Sequence, residues 1–202
     1  MQGVVDRLRS FDLTIDQIQA ISDSPDLSSG VLHHDHVIHT AHFVRRDTSE
    51  PSPLNNDTIY RVASLTKVMT AEAVGSLFDD GILSWDVPIR EYLPAFGQRL
   101  DELGRKATLR DLLTNRTGLA IANAMWGQQK GEVLLPESEM VRMTCCLDAV
   151  KPFREAFVYS QWNYGLGTEI VENATGTNSR HIYQSKNPRS IGNAANNAWM
   201  SE

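Results

Sequence analysis

The sequence has 202 residues, of which 41% are hydrophobic and 22% are charged, and its formal net charge is −6. These values are typical of a globular unit that is large enough to bury a core, and they argue against a disordered chain. Lysine and arginine number 19 against 25 aspartate and glutamate, without a basic run, so we expect neither nucleic acid nor an anionic membrane as partner. A small-molecule substrate is the expectation.

The N-terminal segment and the two cysteines predict a cytoplasmic location. The start, MQGVVDRLRSFDLTIDQIQA, has no continuous apolar segment before a small-residue cleavage site, and no stretch reaches the roughly 18 to 20 apolar residues of a membrane span. Cys145 and Cys146 are adjacent, so they do not form an ordinary disulfide framework. Free thiols fit a reducing compartment.

The first elements predicted along the chain are a helix and a hairpin. FDLTIDQIQAIS spaces its apolar residues at nearly helical period, which predicts a short amphipathic helix. SSGVLHHDHVIHTAHFVRRD follows, and apolar residues on both sides of HHDH predict a β-hairpin with its turn near Asp35. TSEPSPLNND, with two prolines and two asparagines, predicts a loop.

Helical patterns dominate the next part of the chain. The segment that starts at Ser64 is apolar on more than one stripe and ends at Gly81, which predicts a mostly buried helix. TLRDLLTNRTGL predicts a short helix that is capped by Thr108 and ends at Gly118, and PESEMVRMTCCL predicts another that Pro136 opens. FVYSQWNYGLGTEIVENATG passes from an extended stretch at Tyr159 into a further helix.

The sequence changes character after Thr177. Residues 178–202 are polar, rich in asparagine and without a sustained apolar period, so they predict a loosely ordered tail. Residues 1–177 supply one hairpin and several helices, and a two-stranded ribbon is marginally stable by itself. We therefore expect a partial domain of the α+β class over residues 1–177, with an incomplete sheet.

Five histidines fall within or beside the predicted hairpin, and they allow two interpretations. HHDH resembles a metal-binding run, since zinc sites use histidine and aspartate. On a strand, however, neighbouring side chains point to opposite faces and the turn separates the two halves, so one coordination sphere is hard to assemble. A polar hairpin is the interpretation that the pattern favours over a metal site formed from His33, His34, His36, His39 and His42.

Ser64 and Lys67 lie three residues apart in the predicted helix, so both side chains lie on one face and the amine can reach the hydroxyl. Burial disfavours the charged ammonium, so the amine can act as the base that activates a serine without histidine. The N–H groups at the helix start, including that of Ser64, can stabilise an oxyanion. The alternative is a capping serine beside a lysine that extends to solvent, because S-x-x-K arises by chance about once in such a chain.

Tyr159 is the third candidate. A tyrosine at the end of an extended segment is usually half-buried packing, and by itself it indicates little. Its position after the S-x-x-K segment and the TLRDLLTNRTGL segment also makes it a candidate for a catalytic role.

Taken in order, NDTIYRVASLTKVMTAEAVGSLFDDGILSWDVPIREYLP, TLRDLLTNRTGL and FVYSQWNYGLGTEIVENATG resemble the serine β-lactamase-related family, which includes class C β-lactamases, penicillin-binding DD-peptidases, esterases and natural-product acyltransferases. The resemblance runs from about Leu13 to Gly176. It implies a β-lactamase/transpeptidase-like fold. It also implies that Ser64 is the acylated nucleophile, Lys67 its proton acceptor and Tyr159 a further acid/base group.

The sequence departs from the family pattern in two places. The family's Y-x-N element ends here in Gln161, which keeps an amide on a longer arm and is the expected substrate-binding residue, whereas Asn163 fits the role less well. The third motif, K-T-G or H-x-G, does not occur. In the family that strand lines the cleft, supplies the second oxyanion donor and precedes the later sheet strands. The resemblance therefore implies the N-terminal hairpin and most of the helical region, while Thr117 and Gly118 are implied to be structural.

The predicted function is that of a serine-type acyl hydrolase or acyltransferase that acts through an acyl-enzyme on a small-molecule ester, amide or thioester, in specialised metabolism. This chemistry requires no metal or cofactor. The alternative is a truncated, catalytically inactive family member or binding remnant, which the missing third motif favours and the intact Ser64, Lys67 and Tyr159 oppose. An uncovered sheet edge also predicts self-association.

Overall fold

The computed structural model describes residues 2–22, 24, 26–44, 55–56, 58, 60, 62–122, 135–179 and 181–182. The chain divides into two compact units, Met1–Tyr60 and Arg61–Glu202. Most of the predicted loop TSEPSPLNND and most of the predicted tail lie outside the described residues. The division into a partial domain over 1–177 and a tail over 178–202 therefore stays a prediction.

The first unit consists of one helix and the predicted hairpin. Helix α1 spans Gln2–Ser22, and strands β1 (Asp26–His33) and β2 (His36–Val44) pair in antiparallel fashion. The turn between the strands is formed by His34 and Asp35, whose φ angles of 47° and 61° lie in the left-handed region that short hairpin turns require. The hairpin and its turn at Asp35 confirm the sequence prediction.

Helix α1 is longer than the sequence pattern predicted. It begins at Gln2 rather than near Phe11, and the Gln2 side chain donates a hydrogen bond to the Asp6 carboxylate, four residues along the same face. The apolar side chains that predicted the helix, Ile18 and Ile21 among them, are largely exposed. The periodic pattern thus identified a helix but underestimated its length and overestimated its burial.

The second unit contains six α-helices and three 3₁₀-helices among its described residues. In chain order they are a 3₁₀-helix at Ala63–Leu65, α2 (Thr66–Asp79), α3 (Ile89–Tyr92), a 3₁₀-helix at Pro94–Gln98, α4 (Glu102–Lys106), α5 (Leu109–Leu113), a 3₁₀-helix at Glu137–Glu139, α6 (Met140–Cys146) and α7 (Gln161–Thr175).

Local chemistry explains where α5 begins and ends. The Thr108 hydroxyl accepts a hydrogen bond from Asp111 N, and the Asp111 carboxylate accepts one from Thr108 N, which completes a capping box. The helix ends at Leu113, before the predicted stop at Gly118, because Asn115 adopts a φ of 54° that a helix cannot continue. The predicted cap is confirmed, and the predicted end was several residues late.

The core of the second unit lies where α2, α5 and α7 meet. Val74, Leu112, Leu166 and Ile170 are fully buried there. Only one side of α2 is packed in this way, since Val68 is 67% exposed and Leu65, in the 3₁₀-helix just before α2, is 69% exposed. The prediction of a mostly buried helix is therefore wrong for that side of α2, and an apolar sequence did not by itself determine which side is covered.

The fold belongs to the α+β class, with the hairpin as the sheet component in the part of the chain that the structure describes. Two strands are fewer than the roughly four to six strands that are most common in sheets. This agrees with the predicted incomplete sheet. Across the described ranges, no helix has the length and hydropathy needed to cross a membrane.

Candidate active site

Ser64 lies in the short 3₁₀-helix that runs directly into α2. The residue before it, Ala63, has a φ of 45°, which is uncommon for a residue with a Cβ, and the Thr66 hydroxyl donates to the Ala63 carbonyl oxygen at 2.7 Å. The next backbone bond, from Leu65 N to Val62 O, is 3.1 Å long. This turn places Ser64 at the exposed N-terminal end of the helical segment.

Two further polar groups converge on the Ser64 hydroxyl. The Lys67 Nζ donates to Ser64 Oγ at 3.3 Å, as the three-residue spacing predicts. The Tyr159 hydroxyl donates to the same oxygen at 2.6 Å, although it lies 95 residues away in the chain. The structure therefore brings together the three residues that the sequence resemblance assigned to catalysis.

Lys67 also contacts Gln161 and two aromatic rings. Its Nζ donates to Gln161 Oε1, and it lies 4.9 Å from the ring centroid of Tyr159 and 5.4 Å from that of Tyr164. Because the Gln161 oxygen accepts from Lys67 Nζ, the amide nitrogen is oriented away from Lys67. Lys67 is partly buried rather than enclosed in the core, and the two aromatic faces line the side of its Nζ.

The site changes the acidity of Tyr159. The Lys67 amine lowers the pKa of this phenol, the Ser64 hydroxyl lowers it further, and limited burial opposes both effects. The neighbouring Tyr164 behaves in the opposite way, since burial raises its pKa and the nearby Tyr159 adds to that effect. Of these two phenols, Tyr159 therefore loses its proton more readily, which suits a group that exchanges protons during a reaction.

Asn163 takes no part in the convergence on Ser64. Its side chain is fully buried, donates to Asn115 Oδ1 at 3.0 Å and accepts from the Thr117 hydroxyl at 2.8 Å. Gln161 is therefore the amide that faces Lys67, in agreement with the preference for Gln161 over Asn163. Asn115 was not singled out in the sequence, although an asparagine just before the T-G turn is a signal for a left-handed residue.

Thr117 and Gly118 lie in the turn that follows α5. Thr117 is fully buried and also accepts a hydrogen bond from Leu119 N. Gly118 has a φ of 76°, and a Cβ at this position would collide with the Lys151 carbonyl oxygen. Both residues therefore hold the turn in place, as the resemblance implied.

The hairpin histidines bind protein groups. His42 Nδ1 lies 2.8 Å from Ser28 Oγ and its Nε2 lies 2.9 Å from Asn56 Oδ1, while His39 Nε2 lies 3.1 Å from Asp12 Oδ1. Within the described ranges, no group of three or more histidine, cysteine, aspartate or glutamate side chains is arranged to hold a metal ion. The contacts favour a polar hairpin over a metal site.

Comparison with known proteins gives one family model match and a consistent set of relatives. The model described as Beta-lactamase matches residues 11–186. Esterase EstB of Burkholderia gladioli is 39% identical over 74 residues, which cover 36% of this chain and 19% of the esterase. The acyltransferase calJ of Penicillium decumbens is 34% identical over 80 residues, which cover 34% of this chain and 19% of calJ.

Among solved structures, the octameric penicillin-binding protein homologue of Pyrococcus abyssi superposes with a TM-score of 0.76 and 26% identity. The superposition covers 93% of this chain and 43% of that chain. The chain thus spans less than half the length of each of these three proteins, and its fold is that of the β-lactamase/transpeptidase type over the part that it covers.

Proposed function

The chain belongs to the beta-lactamase family, and on that premise we propose that it is a serine-type acyl hydrolase or acyltransferase in which Ser64 forms the acyl-enzyme. One observation carries the proposal. Ser64 Oγ accepts hydrogen bonds from Lys67 Nζ at 3.3 Å and from the Tyr159 hydroxyl at 2.6 Å, so a nucleophile and two proton-exchanging groups meet at one atom.

In the proposed mechanism, Lys67 acts in its neutral amine form: Ser64 Oγ attacks the carbonyl carbon of the substrate, and the Ser64 proton passes to Lys67 Nζ. The Ser64 N–H, at the start of the helical segment, donates to the oxyanion that forms. Tyr159 then delivers its proton to the leaving alcohol, amine or thiol as the bond to that group breaks, and Lys67 passes the proton it took from Ser64 back to Tyr159. Water or an acceptor alcohol attacks the acyl-enzyme by the reverse sequence of proton transfers and releases the acyl product.

Gln161 is proposed as the substrate-binding amide. Its oxygen accepts from Lys67, so its nitrogen is the end that can donate a hydrogen bond to the substrate. The same contact holds Lys67 Nζ beside Ser64 Oγ. Gln161 would therefore couple substrate binding to the position of the base.

The substrate proposed is a small-molecule ester, amide or thioester of specialised metabolism. Support comes from the names of the relatives, an esterase in one case and an acyltransferase in the other. The cytoplasmic location stays a prediction of the sequence.

An inactive family member is the second candidate. The observation that favours it is that neither K-T-G nor H-x-G, the motif that supplies the family's second oxyanion donor, occurs in these 202 residues. Loss of one such donor costs on the order of 10² to 10³ in rate. A chain of this kind would keep the Ser64 geometry and bind acyl compounds without turning them over at a useful rate.

Labelling with a fluorophosphonate probe and mapping of the adduct by mass spectrometry tests the proposal. We expect one adduct on Ser64, which Ser64→Ala abolishes. Ser28 is the matched control because its hydroxyl also lies beside a base, His42, and Ser28→Ala should label like the wild type. An adduct on Ser28 with Ser64 unmodified contradicts the assignment, and a folded wild type that does not react supports the inactive member.

A further inference from the structure

One residue holds the backbone on both sides of Tyr159. The Val158 N–H donates to the main-chain oxygen of Asn115 at 2.9 Å, and the Ser160 N–H donates to the side-chain oxygen of the same asparagine at 3.1 Å. These N–H groups flank Tyr159 in an extended segment, where alternate N–H groups point the same way. The two bonds fix the backbone from which the Tyr159 side chain extends to Ser64.

Asn115 is itself held in one orientation. Its φ of 54° lies in the left-handed region, which asparagine tolerates better than most residues, and its N–H donates to Leu112 O at 3.0 Å. Its Oδ1 accepts a second bond from Asn163, whose own oxygen accepts from Thr117 at 2.8 Å. Asn115 Oδ1 accepts hydrogen bonds from two N–H groups. The Asn163 amide donates to Asn115 and accepts from Thr117, so the orientation of both side-chain amides is determined.

The three side chains of this network are almost completely buried, with Asn115 4% exposed and the other two 0% exposed. Buried polar groups stabilise a fold only when they are satisfied, and a satisfied network of this kind mainly adds rigidity to its surroundings. Rigidity of the buried network alone would not require that Asn115 accept hydrogen bonds from both residues that flank Tyr159. The arrangement instead suits a proton carrier that must be held to within about 0.5 Å.

We propose that Asn115 is a positioning residue which, through Asn163 and Thr117, holds the Tyr159 hydroxyl within hydrogen-bond distance of Ser64. Asn115 acts through the backbone of Tyr159. The inference rests on the proposed function in so far as Tyr159 is taken as the proton carrier. The position of the phenol can nevertheless be measured without any turnover.

The titration of Tyr159 reports that position. The titratable groups that face its phenol are Lys67 from α2 and Tyr164 from α7. The contacts with Lys67 and Ser64 are what lower the pKa of Tyr159. A variant that lets the segment move should therefore raise the pKa of Tyr159 toward that of an ordinary tyrosine, and a variant that only lowers stability should not.

The test compares Asn115→Gly with the wild type. Glycine accepts the positive φ and keeps the main-chain bond to Val158, so the change removes only the side-chain contacts. Tyrosinate absorbance is followed against pH in each protein and in the same protein with Tyr159→Phe, and the difference isolates the Tyr159 step. The rate of Ser64 labelling by the fluorophosphonate is the second measurement. Arg99→Met, which removes a buried side chain elsewhere, is the control for lost stability.

We expect the Tyr159 step of Asn115→Gly to move to higher pH and its labelling rate to fall by about 10-fold to 100-fold, as a misplacement near 1 Å would cause. Arg99→Met should keep the wild-type Tyr159 step. If Asn115→Gly does not fold, Thr117→Val, which loses the hydroxyl but keeps the shape, should shift the step in the same direction, and Thr117→Ser should restore it.

A folded Asn115→Gly with the wild-type step and labelling rate overturns the inference, as does a wild-type step in Thr117→Val when Asn115→Gly is unfolded. Equal shifts in Arg99→Met and Asn115→Gly also overturn it, because lost stability then explains both. If the wild type is not labelled but the Tyr159 step still moves in Asn115→Gly, the proposed function fails and the positioning role stands.

Discussion

Replacing Lys67 by methionine separates the chemical role of the lysine from its role in stability. Methionine keeps most of the stem volume but removes the Nζ group that donates to Ser64 Oγ at 3.3 Å and to Gln161 Oε1. Removing the proton acceptor should slow labelling of Ser64 by about 10² to 10⁴. That range corresponds to about 3–5 kcal/mol of activation free energy.

Stability should change far less than the labelling rate. Lys67 is only partly buried, so its loss removes two hydrogen bonds and at the same time removes the cost of partly desolvating a charge. We expect the free energy of unfolding to stay within about 1 kcal/mol of the wild type. The Tyr159 pKa should rise, because the Lys67 amine is the largest cause of its lowering.

The assay is a time course of fluorophosphonate labelling, with urea unfolding and tyrosinate absorbance measured on the same samples. Lys106→Met is the matched control, since Lys106 is an exposed lysine paired with Glu102 at 2.9 Å. It should label at the wild-type rate. If Lys67→Met also labels at the wild-type rate, another group accepts the proton, and the role assigned from the three-residue spacing is wrong.

Arg99→Met should lower the free energy of unfolding by about 3–5 kcal/mol, because the buried guanidinium donates to three carbonyl groups at the end of α6 and pairs with Asp101 at 2.7 Å. Arg110→Met removes an exposed ion pair and should leave the melting temperature nearly unchanged, and equal effects in the two variants would contradict the difference in burial. Ester hydrolysis should decline with rising pH at a pH below the ordinary tyrosine pKa of 10.0, because Lys67 lowers the pKa of Tyr159 and the phenol loses its proton above that pKa. If Tyr159→Phe shows the same decline at high pH, the decline belongs to another group. Each strand of the hairpin pairs on one side only among the described residues, so size-exclusion chromatography with light scattering should find dimers or larger species, and a monomer at all concentrations would refute the exposed-edge prediction.

Features that depend on neighbours in the chain could be predicted from the sequence. The hairpin turn at Asp35, the cap at Thr108 and the placement of Ser64 and Lys67 on one face all follow from contacts between residues at most four apart. Such contacts are determined by the geometry of the local backbone, which the sequence pattern encodes directly. Tyr159 and Gln161 were found in a different way, through the order of three segments that resemble a family.

Only the tertiary structure decided which distant groups meet and which faces are covered. The contact of Tyr159 with Ser64 joins residues 95 apart, and the Ser160 N–H beside Tyr159 donates to Asn115 Oδ1, 45 residues away. The exposure of Leu65 and Val68 was equally beyond the sequence, because an apolar side chain shows that burial is favourable without showing what is present to cover it. Local spacing places the Ser64 hydroxyl beside the Lys67 amine, whereas the Tyr159 hydroxyl reaches them only in the tertiary structure, where α7, which follows Tyr159, packs against α2 and α5.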